Sequence, residues 1–593
     1  MKPSASTTTA TAGDTGIHAC VGVGCLKLHT GKDARTTEVH TRLRSVLLLR
    51  SYFVVIYSRA TMPKIALCLF PVALALAQHQ MAPPPEKPVT LFAGLGTWRH
   101  PIATQNVEAQ KYFDQGLALL YGFNRYEALR SFRKASELDP RAAMAFWGMA
   151  MAQGPYINMD GDPTFDQKAS CAAVDLGLKL AAAPARERAY LQAAATRCPE
   201  ERPQAYIDAM RALAAGYPDD LDAAVVLAEG LMVPVRWHWY SADGAPAAGV
   251  AEAERTLEAV LRRWPDHPGA NHYYIHAVES SRTPERGIPS AQRLMGVVPQ
   301  AGHMVHMPGH IWLAVGDYEM AAAVNERAAE VDRQYFAATN VTAGSYGMYY
   351  AHNLHFIAYA RWMQGRGVDG IRAADALAAV LQPMAESMPE MVDGFMAIPV
   401  LGRVRLGDWP RILQLRPPSE RMPLSTATFR YARALALAGS GDRAGALREQ
   451  AAFETTRAKA PADAMWGNNK TAPVLALAAE VLAARVAASL TEALPHWEHA
   501  VAMQDALTYD EPPAWYYPVR ESWGAALLRA GKSTEAEAVF RDGLKRSPRN
   551  GRILFGLMET LRAQDKTEAA EWVQKEFEAS WAKADVKLKI EDM

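Results

Sequence analysis

"FDQGLALLYGFNRYEALRSFRKASELDP", residues Phe113–Pro140, is the stretch whose spacing decides the architecture. Its apolar residues recur at intervals of three and four, the period of amphipathic helices and not of strands. The first helix carries Gly116, and the second presents Ala128, Phe132 and Ala135 before Pro140 ends it. One such helix pair cannot bury its apolar faces alone, so it needs copies of itself to stack against.

The copies are in the chain. "WGAALLRAGKSTEAEAVFRDGLKRSP" repeats the pattern with Gly524, Ala536, Phe540 and Pro548, and "HIWLAVGDYEMAAAVNERA" with Gly316, Tyr318 and Ala321. Weaker copies thread through Ala205–Pro218, Ala223–Pro265, Arg403–Leu413, Phe429–Ala452, Ala472–Met503 and Gly551–Gln574. Alanine is abundant and alternating Val/Ile/Thr runs are missing, so the expected class is all-α. The small, aromatic and proline positions resemble the tetratricopeptide repeat (TPR), a 34-residue helix–turn–helix unit, across most of residues 104–580. That resemblance implies a solenoid, a right-handed superhelix of antiparallel helix pairs whose first helices line a concave, ligand-binding surface. The segments "HYYIHAVE", "HMPGHI" and "EPPAWYYPVR" also resemble those of exported bacterial TPR proteins, which implies architecture and not chemistry.

The chain has 593 residues, half of them hydrophobic, with 63 basic and 63 acidic side chains. The zero formal charge and the lack of long single-sign runs argue against a nucleic-acid partner. Residues 1–61 are rich in Ser and Thr and read as a non-native or disordered leader. "MPKIALCLFPVALALA" (62–77) then has the Lys, the apolar run and the Ala75-Leu76-Ala77 cleavage pattern of a signal peptide. The run is too short for a mature membrane span, so the expectation is an exported, periplasmic or secreted protein. After cleavage two cysteines remain, Cys171 and Cys198. They stand about equally far from a turn near Pro184, and export permits a disulfide between them. The expected order is an extended segment at 78–103, TPR-like repeats at 104–264, His-rich repeats at 265–380, divergent repeats at 381–510 and C-terminal repeats at 511–593.

Repeat register exposes a pattern in the histidines. Pro265 and Pro299, both at the terminal proline position, are 34 residues apart, as are His272 and His306, and His276 and His310. Aligning Gly365 with Gly316 puts His352 level with His303, and His355 level with His306. Seven histidines thus occupy three rows of successive first helices, and Glu279 follows one turn later. Spacings of three and four put each set on one helical face. Pro308 starts or kinks its helix, which places His303 and His306 on an irregular turn before it.

Helices packed roughly 8–10 Å apart let such imidazoles share an ion. Imidazole suits copper, zinc and iron, and Glu279 is a candidate carboxylate ligand or general base. The expected metal set is His272, His276, Glu279, His303, His306, His310, His352 and His355, with room for two ions. Met304, Met307 and Met348 nearby suit copper, although methionines at helical spacing also serve as core filler. Three readings stand open: a metal site, a metal-free groove binding a protein, peptide or small molecule, or structural polar packing. A scaffold needs an open groove, whereas an enzyme favours a pocket capped by the insertion at 333–350 or by aromatic loops.

Other segments read as background. "EPPAWYYPVRES" (Glu511–Ser522) and "LMVPVRWHWYS" (Leu231–Ser241) suit aromatic packing, with pocket lining as the alternative. His100 precedes the first repeat and can fold back onto the groove. "MWGNNK" (465–470) reads as a loop without an assigned role. Phosphate-binding, Cys-x-x-Cys, Gly-x-Ser-x-Gly and HExxH motifs do not occur, and "HYYIH" lacks the glutamate of the last.

Overall fold

The computed structural model describes residues 85–159, 162–341 and 345–593. The leader and signal-peptide expectations fall outside them. Among the described residues the chain is a succession of α-helices, most of them packed on the next, with one short hairpin. No described helix is long and apolar enough to cross a membrane.

The opening stretch forms the helices Val107–Tyr121 and Arg125–Leu138, and Asn106 caps the first by accepting from the amides of Glu108 and Ala109. The repeat signature has a steric cause. Phe132 is fully buried between Gly116 of its own pair and Gly148 of the next; a Cβ at Gly116 would stand 2.6 Å from the ring. Phe540 sits in the same way between Gly524 and Gly556. The glycines let the helices close onto a ring that fills the space between them. Cys171 and Cys198 are bonded across the pair Gln167–Leu178 and Ala185–Ala195, as expected.

The C-terminal helices return to the middle of the chain. Arg405 and Glu521 form a buried bidentate ion pair at 2.9 and 3.0 Å, and Asn550 donates to the same carboxylate at 2.8 Å. The Tyr318 hydroxyl donates to the Pro548 carbonyl at 3.1 Å, and the Gly367 amide to Asp585 at 2.7 Å. These contacts bring residues 508–517 to the central histidines.

Candidate metal centre

Four helices carry the site. Pro268–Glu279 starts with a proline at its first position, and the His267 ring accepts from the Ala270 amide. Every residue of this helix is buried, so its polar side chains need partners inside the protein. Gly302–His306 and Pro308–Ala314 follow, with Met307 between them in right-handed helical conformation. Pro308 therefore interrupts hydrogen bonding without turning the chain away. His303 and His306 lie on a helical turn and not on the irregular one expected. Ser345–Met363 brings His352 and His355.

The imidazoles form two adjoining triads. One ring nitrogen from each of His272, His276 and His303 lies within 4.8 Å of the other two, and the same holds for His306, His310 and His352. Ring centroids are 4.9 Å apart for His272–His276, 4.7 Å for His306–His310 and 4.9 Å for His306–His352. The triads meet where His303 stands 5.5 Å from His306, and His276 stands 5.6 Å from His310. His355 belongs to neither and packs against Phe395 at 6.0 Å.

Four tautomers are set by what Nδ1 touches. His272 Nδ1 donates to the Tyr121 carbonyl at 2.5 Å, one of the carbonyls a helix C-terminus leaves without an internal partner. His276 Nδ1 donates to Glu279 Oε1 at 2.8 Å, and His310 Nδ1 donates to Glu279 Oε2. His306 Nδ1 meets Asn325 Oδ1 at 2.7 Å; Asn325 Nδ2 donates to the Ala321 carbonyl, so its oxygen faces the ring and the ring donates. Each of these imidazoles therefore keeps its lone pair on Nε2. The Nε2 atoms of His272 and His276, and both nitrogens of His303, are buried without a hydrogen-bond partner. His306 Nε2 and His310 Nε2 face each other at 2.7 Å.

Burial also disfavours the charged imidazolium in the cluster. It pushes the pKa values of His272, His303, His306 and His352 well below the ordinary range, and neighbouring imidazoles lower them further. His276 is lowered by burial despite Glu279, and His355 falls to about 4 by burial alone. For Glu279 burial acts upward, but His310 and His276 outweigh it and hold the carboxylate low. One carboxylate thus serves a histidine of each triad, on the Nδ1 side and away from the facing Nε2 atoms. That geometry makes Glu279 a positioning group, although its oxygens also lie within 4.8 Å of a nitrogen of His276 and of His310.

Aromatic rings brace the cluster. Phe123 lies 4.5 Å from His272 and stacks on His303 at 5.0 Å. Its backbone has φ 54°, a left-handed conformation that costs a non-glycine residue about 1–2 kcal/mol. Tyr349 packs on His303 at 4.5 Å, and Phe356 on His306 at 4.8 Å and on His310 at 5.1 Å. Met304 and Met307 are fully buried core residues, while Met348 lines the cavity described next.

His303, His306, His310, His352 and His355 line a cavity of about 380 Å³. The resemblance implied an open concave surface, but His272, His276, His303, His306 and His310 are at most 3% exposed. The difference comes from segments outside the repeat pattern. Trp237 from the 231–241 segment and residues 510–512 and 514 form part of the wall. Trp515, Tyr516 and Tyr517 instead pack into the core around Tyr431, so each aromatic segment serves both lining and packing. "MWGNNK" is a hairpin pairing Met465 with Lys470 and Trp466 with Asn469, and its first four residues line the cavity. Asn469 exchanges two hydrogen bonds with the Thr508 backbone, at 3.0 and 2.8 Å, and the Asn468 amide donates to Asp510 at 3.0 Å. The clamped segment sends the Tyr509 hydroxyl to Glu279 and Glu511 into the cavity wall. Burial, with Glu279 and Asp510 nearby, raises Glu511 well above the usual carboxylate range, and burial raises Asp510 to about 7.

His100 does not reach the cavity. It donates to Asp222 at 2.8 Å, beside the Tyr121 hydroxyl at 2.5 Å on the same carboxylate. Tyr121, Phe123, Asn325, Trp466 and Glu511 are site residues that repeat register does not single out. Only the two aromatic segments carried a hint of part of this wall.

No family model and no curated relative matches the chain. Similar solved structures include the APC/C hetero-tetramer Cut9–Hcn1, at 12% identity over 82% of this chain and 76% of that one, with a TM-score of 0.27. Yeast Tom70 is 12% identical over 79% and 90%, with a TM-score of 0.28. The P58(IPK) TPR domain is 12% identical over 78% and 99%, with a TM-score of 0.19. Scores this low carry nothing over to the site.

Proposed function

We propose that this chain is a helical-repeat metalloenzyme that holds two transition-metal ions, one on each histidine triad, and acts on a small molecule in the adjoining cavity. The observation that carries the proposal is the contact between His306 Nε2 and His310 Nε2 at 2.7 Å. Both rings donate their Nδ1 proton to an oxygen, so the two Nε2 atoms need a shared proton or a metal ion between them, and only metal ions would also satisfy the unpartnered nitrogens of His272, His276 and His303. Two nitrogens about 2.0 Å from a common ion stand on the order of 3 Å apart.

Three neutral imidazoles per ion, with no thiolate, suit copper or zinc; iron sites more often include a carboxylate ligand, and calcium and magnesium prefer oxygen. Three protein ligands leave a coordination position for water or substrate. A cavity of about 380 Å³ with buried imidazoles in its wall suits a small-molecule substrate and favours an enzyme over a peptide-binding groove. The Cys171–Cys198 disulfide supports a site of action outside the reducing cytosol, in line with the signal-peptide expectation at Met62–Ala77.

The test is a metal titration of the metal-stripped protein. The proposal expects two equivalents of copper or zinc, with His276→Ala and His306→Ala each removing one. Folded wild-type protein that takes up neither metal overturns it.

A further inference from the structure

The cavity wall away from the imidazoles has a composition that selects among small molecules. Its flat apolar surface comes from Trp237, Tyr349, Phe395 and Trp466. Besides histidine, its ionisable lining is entirely acidic, Asp162, Glu390, Asp510 and Glu511, with burial disfavouring the charge on the last two, and no Lys or Arg lines it among the described residues. His303 lines the same space, 2% exposed and with both ring nitrogens unpartnered, which marks the cavity as built for an occupant.

The acids divide by position. Asp510 and Glu511 adjoin Glu279, whose charge acts on Glu511, and so stand where two metal cations need compensation. Asp162 acts instead on Tyr349, accepts from the Tyr156 hydroxyl at 2.5 Å and is 7% exposed. Glu390 is exposed on the helix Pro389–Met396. Neither is spoken for by the metal ligands. Carboxylates beside aromatic faces recognise a cation twice, through charge and through the ring quadrupole. The same wall repels carboxylates and phosphates.

We infer that the substrate of this site is a small aromatic molecule carrying an amine, and that anionic analogues are excluded. This rests on the reading of the cavity as the enzyme's substrate site.

The experiment compares 2-phenylethylamine, 2-phenylethanol and 3-phenylpropionate, ligands of similar size and different charge. Binding to the full chain is read by calorimetry and by tryptophan quenching, after treatment with a chelator. The amine is expected to bind at least about tenfold more tightly than the carboxylate, with the alcohol between them. Glu390→Gln and Asp162→Asn are expected to shrink that ratio; the first is a surface change, so its reading does not depend on folding. Equal binding of the three, or tighter binding of the carboxylate, overturns the inference. Metal content is measured separately. Two bound metals without an amine preference defeat this inference alone, and an amine preference without metal uptake defeats the metal proposal alone.

Discussion

Glu279→Gln separates a positioning carboxylate from a mere filler. The carboxylate accepts from His276 Nδ1 at 2.8 Å, from His310 Nδ1 and from the Tyr509 hydroxyl. Glutamine keeps the volume but offers one oxygen and one NH2 group. Whichever imidazole faces the NH2 meets donor against donor. Its proton then moves to Nε2, and that triad loses a ligand lone pair. A hydrogen bond to a charged group is worth about 1.5–3 kcal/mol, and losing an outer-shell partner costs a metal site about 10–100-fold in affinity, or roughly 1.4–2.8 kcal/mol. Competition titration against a chromophoric chelator should therefore resolve one near-native site and one weakened by that factor. A thermal melt of the metal-free variant should stay close to wild type. Two ions bound by Glu279→Gln with wild-type affinity would refute the positioning role.

Four further outcomes follow from other contacts. Asn325→Ala removes the oxygen that orients His306 and should weaken only the His306/His310/His352 site, by about 10–100-fold in the same titration. Gly302→Ala places a Cβ onto Asp332, 2.6 Å from Cγ, and should lower stability to denaturant by about 1–3 kcal/mol. Reducing the Cys171–Cys198 bond, which spans a sequence separation of 27, should cost about 3–4 kcal/mol on the chain-entropy estimate, read as a lower melting temperature in dithiothreitol. For His100 and Asp222, burial opposes both charges, but each holds the other ionised, so Asp222 is lowered and His100 raised. Asp222 gives stability that is lost as pH falls below its unfolded value of 3.8; His100 gives stability that is complete below its unfolded value of 6.5 and lost as pH rises through its folded value. The stability gap between wild type and Asp222→Asn should thus peak between these two values in a pH series of urea melts.

The helical period and the Gly/Phe spacing made the architecture legible, because Phe132 and Phe540 need those glycines wherever the pair occurs. The 34-residue spacing, with the Gly316–Gly365 alignment, put six of the seven histidines into the triads, since equivalent positions on stacked helices face the same way. His355 shares a helical face with His352 but joins neither triad and packs on Phe395 instead. The acceptors were not legible. The Tyr121 carbonyl is a backbone atom, Asn325 sits on the following helix without a motif, and Glu511 arrives from about 200 residues downstream. Capping by the aromatic loops was legible only as an alternative, because Trp237, the 465–470 hairpin and the 508–512 segment lie outside the repeat grammar.

The central claim is tested most directly by anomalous X-ray diffraction from crystals of the metal-loaded protein. Two peaks are predicted in each chain, one bounded by His272, His276 and His303 and the other by His306, His310 and His352, with Glu279 on the far side of the rings. Metal-loaded crystals with no peak inside either triad, or with a single ion held by Glu279 oxygens, would contradict it.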